Sequence, residues 1–363
     1  MSEVIRIGID LSKSVFVLYG VDQQEHCQLK RTLKRAEVLT WFANLPACRV
    51  GMEAGSGAHY WARELGKLGH QPCIMDPKLV APYRHQGRTG KNDANDAEAI
   101  CEAMGRPRMR YVPIKDDAQQ AILVIHRVRK GVVGEQNRVA NRLRGLLAEF
   151  GVVINTGLDS LKRDWKTVRQ DKADVVPAMA WVELDALYAR LEALHTEILA
   201  FDRKIRAHVR QDPRARRIAT LNGIGPITAS AIVATVGNAR DFRNGRQFEA
   251  WLGPTPRQFS TGGKTVLGKI TKRGDIYLRT LLIHGARSEL MHVHERADAK
   301  SVWALKLREE KPWNKAAVAL ANKHARIVWA MLAKETKPEE PIPEHEGASD
   351  VVDISDYEEE QAA

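Results

Sequence analysis

Four carboxylates and one hydroxyl in this chain have the types and settings that phosphate chemistry needs. Asp10 closes the apolar, β-branched run VIRIGID, and Glu53 follows the run RVGM. Asp93 and Asp96 lie in GKNDANDAEAICEA, three residues apart, so both can project from one face of a helix. Carboxylates brought together repel unless hard divalent cations fill the space between them. Mg²⁺ or Mn²⁺ takes oxygen ligands, and two such ions can clamp both oxygens of an in-line phosphoryl displacement. Taken singly, each acid reads as a turn or cap residue; only the set of four, in one order of elements, points to metal. Ser260 lies in TPRQFSTGGKTVLGKITKRGD beside a Gly262-Gly263 turn, among Arg257, Lys264, Lys269, Lys272 and Arg273. Those cations suit charge developing on phosphoryl oxygens, although from residues alone Ser260 reads as a loop hydroxyl.

The elements that must position these groups are legible in the first hundred residues. Val4–Asp10 and two short runs broken at Gly20 and DQQE predict a three-stranded meander. A helix over about Arg35–Asn44, a strand at Arg49–Met52 ending in Glu53, a helix near His59–Leu68, a strand at Gln71–Met75 and the helix of the NDAND segment follow. The order βββαβαβα implies a mixed sheet with helices packed on it.

Beyond that domain the pattern turns helical. Ile122, Ile125, Val128, Val132, Val139, Leu143 and Leu146 make an apolar stripe over about Ile114–Phe150, and Leu184, Leu187, Leu191, Leu194, Ile198 and Ile205 make another over about Val182–Arg210. With a loop over Gly151–Asp174, the two predict an antiparallel coiled-coil arm whose stripes serve as core or as an oligomer seam. Arg127, Arg129, Lys130, Arg138, Arg142 and Arg144 occupy the opposite face of the first helix, either as a solvated face or as phosphate contacts. LNGIGPITASAI reads as a helix, a tight turn at Gly223 and Gly225 and a second helix. That pattern is similar to a helix-hairpin-helix clamp on a nucleic-acid backbone, with a plain αα-turn as the alternative.

The chain has 363 residues, 44% hydrophobic and 28% charged, with a net charge of +11, which excludes a disulfide-stapled module and wholesale disorder. The charge is unevenly spread. Residues 1–102 carry +1, residues 103–335 carry 42 basic against 23 acidic residues, and residues 336–363 carry −9. A basic body without long lysine blocks predicts a folded surface facing a polyanion, with nucleic acid the first candidate. The acidic end reads as a disordered tail able to shield that surface. No apolar run is long enough to span a membrane, no leader pattern is present, and the four scattered cysteines fit reduced thiols, so the expected setting is the cytoplasm. His292 and His294 have the wrong spacing for zinc on a helix, and STGGKT lacks the spacing of a P-loop, so neither zinc nor ATP is expected.

GIDLSK, GMEAGSG and KNDANDAEAI together resemble the RuvC-like DEDD domain of the insertion-sequence-110 group of transposases, relatives of the Piv-type DNA invertases. LNGIGPITASAI, FEAWLGPTPRQFSTGGKTVLGKITKRGD and YLRTLLIHGAR resemble that family's second conserved domain. The resemblance implies an RNase H-like (RuvC-like) α/β domain over residues 1–112 with its metal-binding tetrad on Asp10, Glu53, Asp93 and Asp96. It further implies a helical coiled-coil arm over 113–212, an α-rich transposase domain over 213–335 and the tail over 336–363. Within the second conserved domain it implies a serine nucleophile, best matched by Ser260, with Thr261 its neighbour. The implied partners are DNA, a structured bridge RNA as guide and further copies of the chain, as a dimer or tetramer with a site shared between protomers. Two alternatives stay open: a RuvC-like junction resolvase or nuclease that activates water, and a binding protein without catalysis.

Overall fold

The computed structural model describes residues 3–84 and 93–334, apart from the side chains of Asp93, Ala94 and Glu295. The acidic segment 336–363 and the basic loop preceding Asp93 lie outside the described residues. Two compact units follow one another along the chain, the first ending at Ala118 and the second beginning at Gln119.

In the first unit β1 (Arg6–Asp10), β2 (Val15–Val21) and β3 (Cys27–Lys34) form the antiparallel meander, and β4 (Arg49–Glu53) and β5 (Gln71–Met75) add parallel strands on the other side of β1. A short β6 (Tyr111–Val112) closes the edge antiparallel to β5, giving the order β3-β2-β1-β4-β5-β6. The helices are α1 (Val38–Ala43), entered through a 3-10 turn, α2 (Ala58–Lys67), α3 (Pro77–Val80) and α4 (Asp93–Met104). β6 and α3 have two and four residues, too short for any periodicity to reveal them in the sequence.

The two faces of the sheet are built differently. Ile7, Ile9, Phe16, Leu18, Val50 and Met52 pack against Val38 and Phe42 of α1 and Trp61 and Leu65 of α2. The other face carries Gly8 of β1 and Gly51 of β4, directly paired across the strands. A methyl group on Gly8 would lie 2.2 Å from the Ala97 carbonyl oxygen, and one on Gly51 would lie 2.9 Å from the Met104 sulfur. Both glycines are therefore required so that α4 can lie directly on the sheet.

The second unit begins with α5 (Asp117–Ala148), which crosses from the first, and continues through α6 (Leu158–Asp171) and α7 (Ala178–Gln211). The expected loop over Gly151–Asp174 is corrected here: most of it is α6, held by buried Leu161 and Trp165. Trp165 stacks on Tyr188, and Leu161 and Trp165 share one cluster with Val132, Val139, Leu143 and Leu147 of α5 and Leu184, Leu191, Leu194 and Ile198 of α7. A third helix in the packing also displaces the expected stripe on α5, leaving Val128 and Leu146 exposed and burying Leu147 instead.

The rest of the unit comprises α8 (Pro213–Ile218), α9 (Pro226–Thr235), α10 (Gly245–Leu252), the hairpin β7 (Pro256–Thr261) and β8 (Lys264–Ile270), α11 (Ile276–His292), α12 (Ala299–Glu310) and α13 (Trp313–Ala333). α9 is buried on nearly every side, so it forms the centre against which α7, α8 and α11 pack. No helix among the described residues is long and apolar enough to cross a membrane.

Candidate metal centre and nucleic-acid interface

The strand register brings Asp10 and Glu53 together. Ile9 pairs with Met52 in the parallel β1/β4 ladder, so the next residues, Asp10 and Glu53, stand side by side at the strand ends. Side chains alternate along a strand, so Asp10 shares its face with Gly8 and Glu53 shares its face with Gly51. That is the face covered by α4. Asp96 is on the first turn of α4 and is buried against the sheet. The backbone of Asp93 opens the helix, one turn before Asp96.

Arg84 joins two of these acids. Its Nη2 donates to Glu53 Oε1 at 2.7 Å, and its Nε lies 2.6 Å from Asp96 Oδ1. The second contact neutralises charge without the geometry of a hydrogen bond, since both Arg84 Nε and Asp96 Oδ1 are buried without a hydrogen-bond partner. Among the described residues no three His, Cys, Asp or Glu side chains converge as a ready metal cage. The all-oxygen donor set and the guanidinium standing between two carboxylates nevertheless fit a site for a hard cation. Arg84 went unnoticed in the sequence because nothing in its local pattern shows that it faces Glu53 and Asp96 from outside the sheet.

Ser260 belongs to the second unit, on β7, in an exposed hairpin whose turn is Gly262-Gly263, at φ 56° and 78°. Two successive residues in the left-handed region explain the Gly-Gly pair. Gln258 Nε2 donates to Ser260 Oγ at 2.8 Å, because residues two apart on a strand share a face. Thr261 faces the opposite side. The i, i+2 pair Gln258 and Ser260 was present in the sequence, and only the assignment of a strand makes it a contact. The hairpin base is clasped backbone to backbone: a methyl on Gly253 (φ 87°) would lie 1.7 Å from the Arg273 carbonyl oxygen, and one on Gly274 (φ 87°) would lie 2.1 Å from that of Trp251. Arg257, Lys264, Lys269 and Arg273 are exposed around the hairpin, while Lys272 is half-buried with its amide bonded to Gly253 O at 3.1 Å.

The glycine turn is fixed from beneath. Gly223 has φ 83°, and a methyl there would lie 2.3 Å from His324 Cε1 and 2.7 Å from Glu289 Oε2. His324 Nε2 lies 2.8 Å from Glu289 Oε2, Lys300 Nζ lies 2.7 Å from Glu289 Oε1, and Lys300 also donates to Asn222 O at 3.2 Å. Burial works against ionising Glu289, but His324 and Lys300 outweigh it and hold the carboxyl below its ordinary range. Burial also lowers the pKa of His324, so it acts as a neutral N–H donor and Lys300 supplies the charge. Gly225 caps α9 without a side-chain bond, and no atom stands within 4 Å of the place its side chain would occupy.

Of the cations on α5, Arg127, Lys130, Arg138 and Arg142 are exposed. Arg129 departs from the set, because its Nε lies 2.5 Å from Asp202 Oδ1 of α7 and both side chains are largely buried. Arg144 donates to the carbonyls of Asn155 and Gly157, tying down the loop before α6.

A mixed sheet with acids at the ends of β1 and β4, a carboxylate-bearing helix laid across it and a helical second region are consistent with a DEDD nuclease-like domain. Comparison with known proteins narrows the class. A DEDD transposase model of the IS110 group matches residues 7–151, and the model for transposases of the IS116/IS110/IS902 family matches residues 215–301. A "Probable family 20 transposase" of Pseudomonas aeruginosa is 50% identical over 332 residues, covering 91% of this chain and 97% of the relative. The "Transposase for insertion sequence element IS1111A" of Coxiella burnetii is 36% identical over 92% of this chain and 91% of its own length. The corresponding IS1328 protein of Yersinia enterocolitica is 35% identical over 93% and 99%. The chain belongs to the IS116/IS110/IS902 family of insertion-sequence transposases.

Proposed function

We propose that this transposase cleaves and rejoins DNA through a phosphoserine intermediate on Ser260, with Asp10, Glu53, Asp93 and Asp96 as the metal-binding acids and a structured bridge RNA as guide. The observation that carries the reading is the glycine-paired face of the sheet, where Asp10 and Glu53 stand side by side beneath the helix bearing Asp96. Mg²⁺ or Mn²⁺ bound by these acids would supply Lewis-acid stabilisation of the charge developing on the phosphoryl oxygens. Ser260 Oγ gives up its proton and attacks phosphorus, the phosphorus–oxygen bond to one DNA strand end breaks, and a free hydroxyl leaves. The ester energy stays in the phosphoserine, so attack by another strand's hydroxyl restores both the diester and the serine without ATP. Gln258, donating to Ser260 Oγ, orients the hydroxyl and leaves its proton free to depart.

The second unit supplies the grip. Arg127, Lys130, Arg138 and Arg142 of α5 and Arg257, Lys264, Lys269, Lys272 and Arg273 around the hairpin contact phosphates of DNA or RNA, which positions the strands without reading their sequence. Gly223 and Gly225 form the turn of a helix-hairpin-helix clamp, where an uncapped helix start faces open space beside Gly225. Arg129, committed to Asp202, serves the packing of α5 on α7 instead. The carboxylates and Ser260 lie in different units; as the family resemblance implies, the reading takes the site to be completed in a homo-oligomer, a dimer or tetramer.

Incubation with labelled element-end DNA, the RNA transcribed from the element's flank and Mn²⁺, resolved on a denaturing gel, tests the proposal. Strand transfer that requires RNA, metal and Ser260 is expected. Free ends produced equally by Ser260→Ala would indicate a water-activating nuclease.

A further inference from the structure

We propose that Arg84 is a built-in counter-ion of the acidic centre, holding Glu53 and Asp96 in the metal-free protein and giving up that place when a divalent cation binds. The inference rests on the reading of these acids as metal ligands and goes beyond it, because it assigns a role to a residue outside the tetrad. Two observations carry it. One guanidinium contacts both acids, at 2.7 Å from Glu53 Oε1 and 2.6 Å from Asp96 Oδ1. The Asp96 contact is electrostatic only, so a buried carboxylate oxygen keeps its hydrogen-bonding and coordinating capacity unspent.

Charge and geometry set the direction of exchange. Two carboxylates and one guanidinium leave a local charge of −1, whereas a divalent cation in the same place balances both. Oxygen–metal distances of about 2.0–2.2 Å leave no room for the guanidinium between the same oxygens. Arg84 does not travel far to leave. Its backbone amide is bonded to Ala81 O, at the end of the short helical segment that starts at Pro77. The adjacent cleft is lined by Arg84 itself, Tyr83, Glu98, Glu102 and the Arg6–Glu25 pair, so the displaced side chain turns into a polar cleft in which acids outnumber the other cation, although Glu102 also pairs with Arg106. Arg84 thus prevents carboxylate repulsion from opening the sheet end before metal arrives, and it raises the cation concentration needed to load the site.

The test is Mn²⁺ binding to the full-length protein by calorimetry, with thermal melting in the presence and absence of Mn²⁺, for the wild type, Arg84→Gln, Arg84→Lys and Asp96→Asn. Removing the competing charge is expected to tighten Mn²⁺ binding by about tenfold, as for a partly buried charge pair. The metal-free Arg84→Gln protein should melt below wild type and gain more on adding Mn²⁺, while Arg84→Lys, which keeps the charge, should stay close to wild type in both. Wild-type binding with equal or weaker binding by Arg84→Gln would overturn the role of Arg84 alone. Absence of Mn²⁺ binding by wild type, with Asp96→Asn indistinguishable from it, would overturn the metal centre itself and the role of Arg84 with it.

Discussion

Among the three acids of the proposed tetrad whose side chains are described, Asp96 is the most enclosed, and substituting it separates chemistry from grip. Asp96→Asn keeps the shape and removes the charge that a cation needs. Metal-dependent strand cleavage should fall by about a hundredfold or more while DNA affinity stays within about twofold, measured by single-turnover cleavage and by filter binding. The Gln258 to Ser260 contact gives a milder expectation. Gln258→Ala leaves the proposed nucleophile, Ser260, present but unoriented, so cleavage should slow by about tenfold with no change in metal affinity. At this scale the acids were legible in the sequence because carboxylates at strand ends stand out against apolar runs. Arg84, Lys300 and Gln258 were not, because their roles depend on what tertiary packing brings opposite them.

Elements convert those residues into a site, and α4 against β1 and β4 is the decisive contact. Gly8→Ala would drive a methyl into the helix backbone at Ala97, whereas Gly51→Ala meets first the movable end of Met104. Gly8→Ala should therefore destabilise by about 2–4 kcal/mol and Gly51→Ala by less, read from urea midpoints. In the second unit, His126 of α5 lies within hydrogen-bond distance of Ser230 of α9 and Tyr277 of α11, and Ser230 in turn of His208 of α7. Burial pushes the His126 pKa down to about 4 and lowers that of His208 as well. The folded protein thus binds fewer protons there than the unfolded chain, whose histidines titrate near 6.5. This contribution to stability is full above pH about 6.5 and is lost as the pH falls toward 4, so the melting temperature should drop across that window and recover in part in His126→Gln. The strands and long helices were readable from periodicity, down to the ends of β4 and β5. α6 was missed because its buried positions are few, Leu161 and Trp165 among charged residues, and the flanking glycines read as loop.

For the whole molecule, the net charge of +11 averages a near-neutral sheet domain, a strongly basic remainder and an acidic end. The basic remainder predicts nucleic-acid binding that weakens steeply with salt. Each phosphate contact contributes about 0.9 to the log–log slope, so replacing Lys130, Arg138 and Arg142 by Gln should flatten it by up to about 3 on duplex DNA. An unchanged slope would place the grip elsewhere. The central claim, that a near-neutral unit supplies the acids and a basic unit supplies the nucleophile, is tested most directly at Ser260. Protein trapped on element-end DNA and digested with nuclease and trypsin yields the peptide Gln258–Lys264, which contains both Ser260 and Thr261. Fragmentation in a mass spectrometer should find a phosphate on Ser260, dependent on Mn²⁺ and absent from Asp96→Asn; a phosphate on Thr261, or cleaved DNA with an unmodified peptide, would contradict the account.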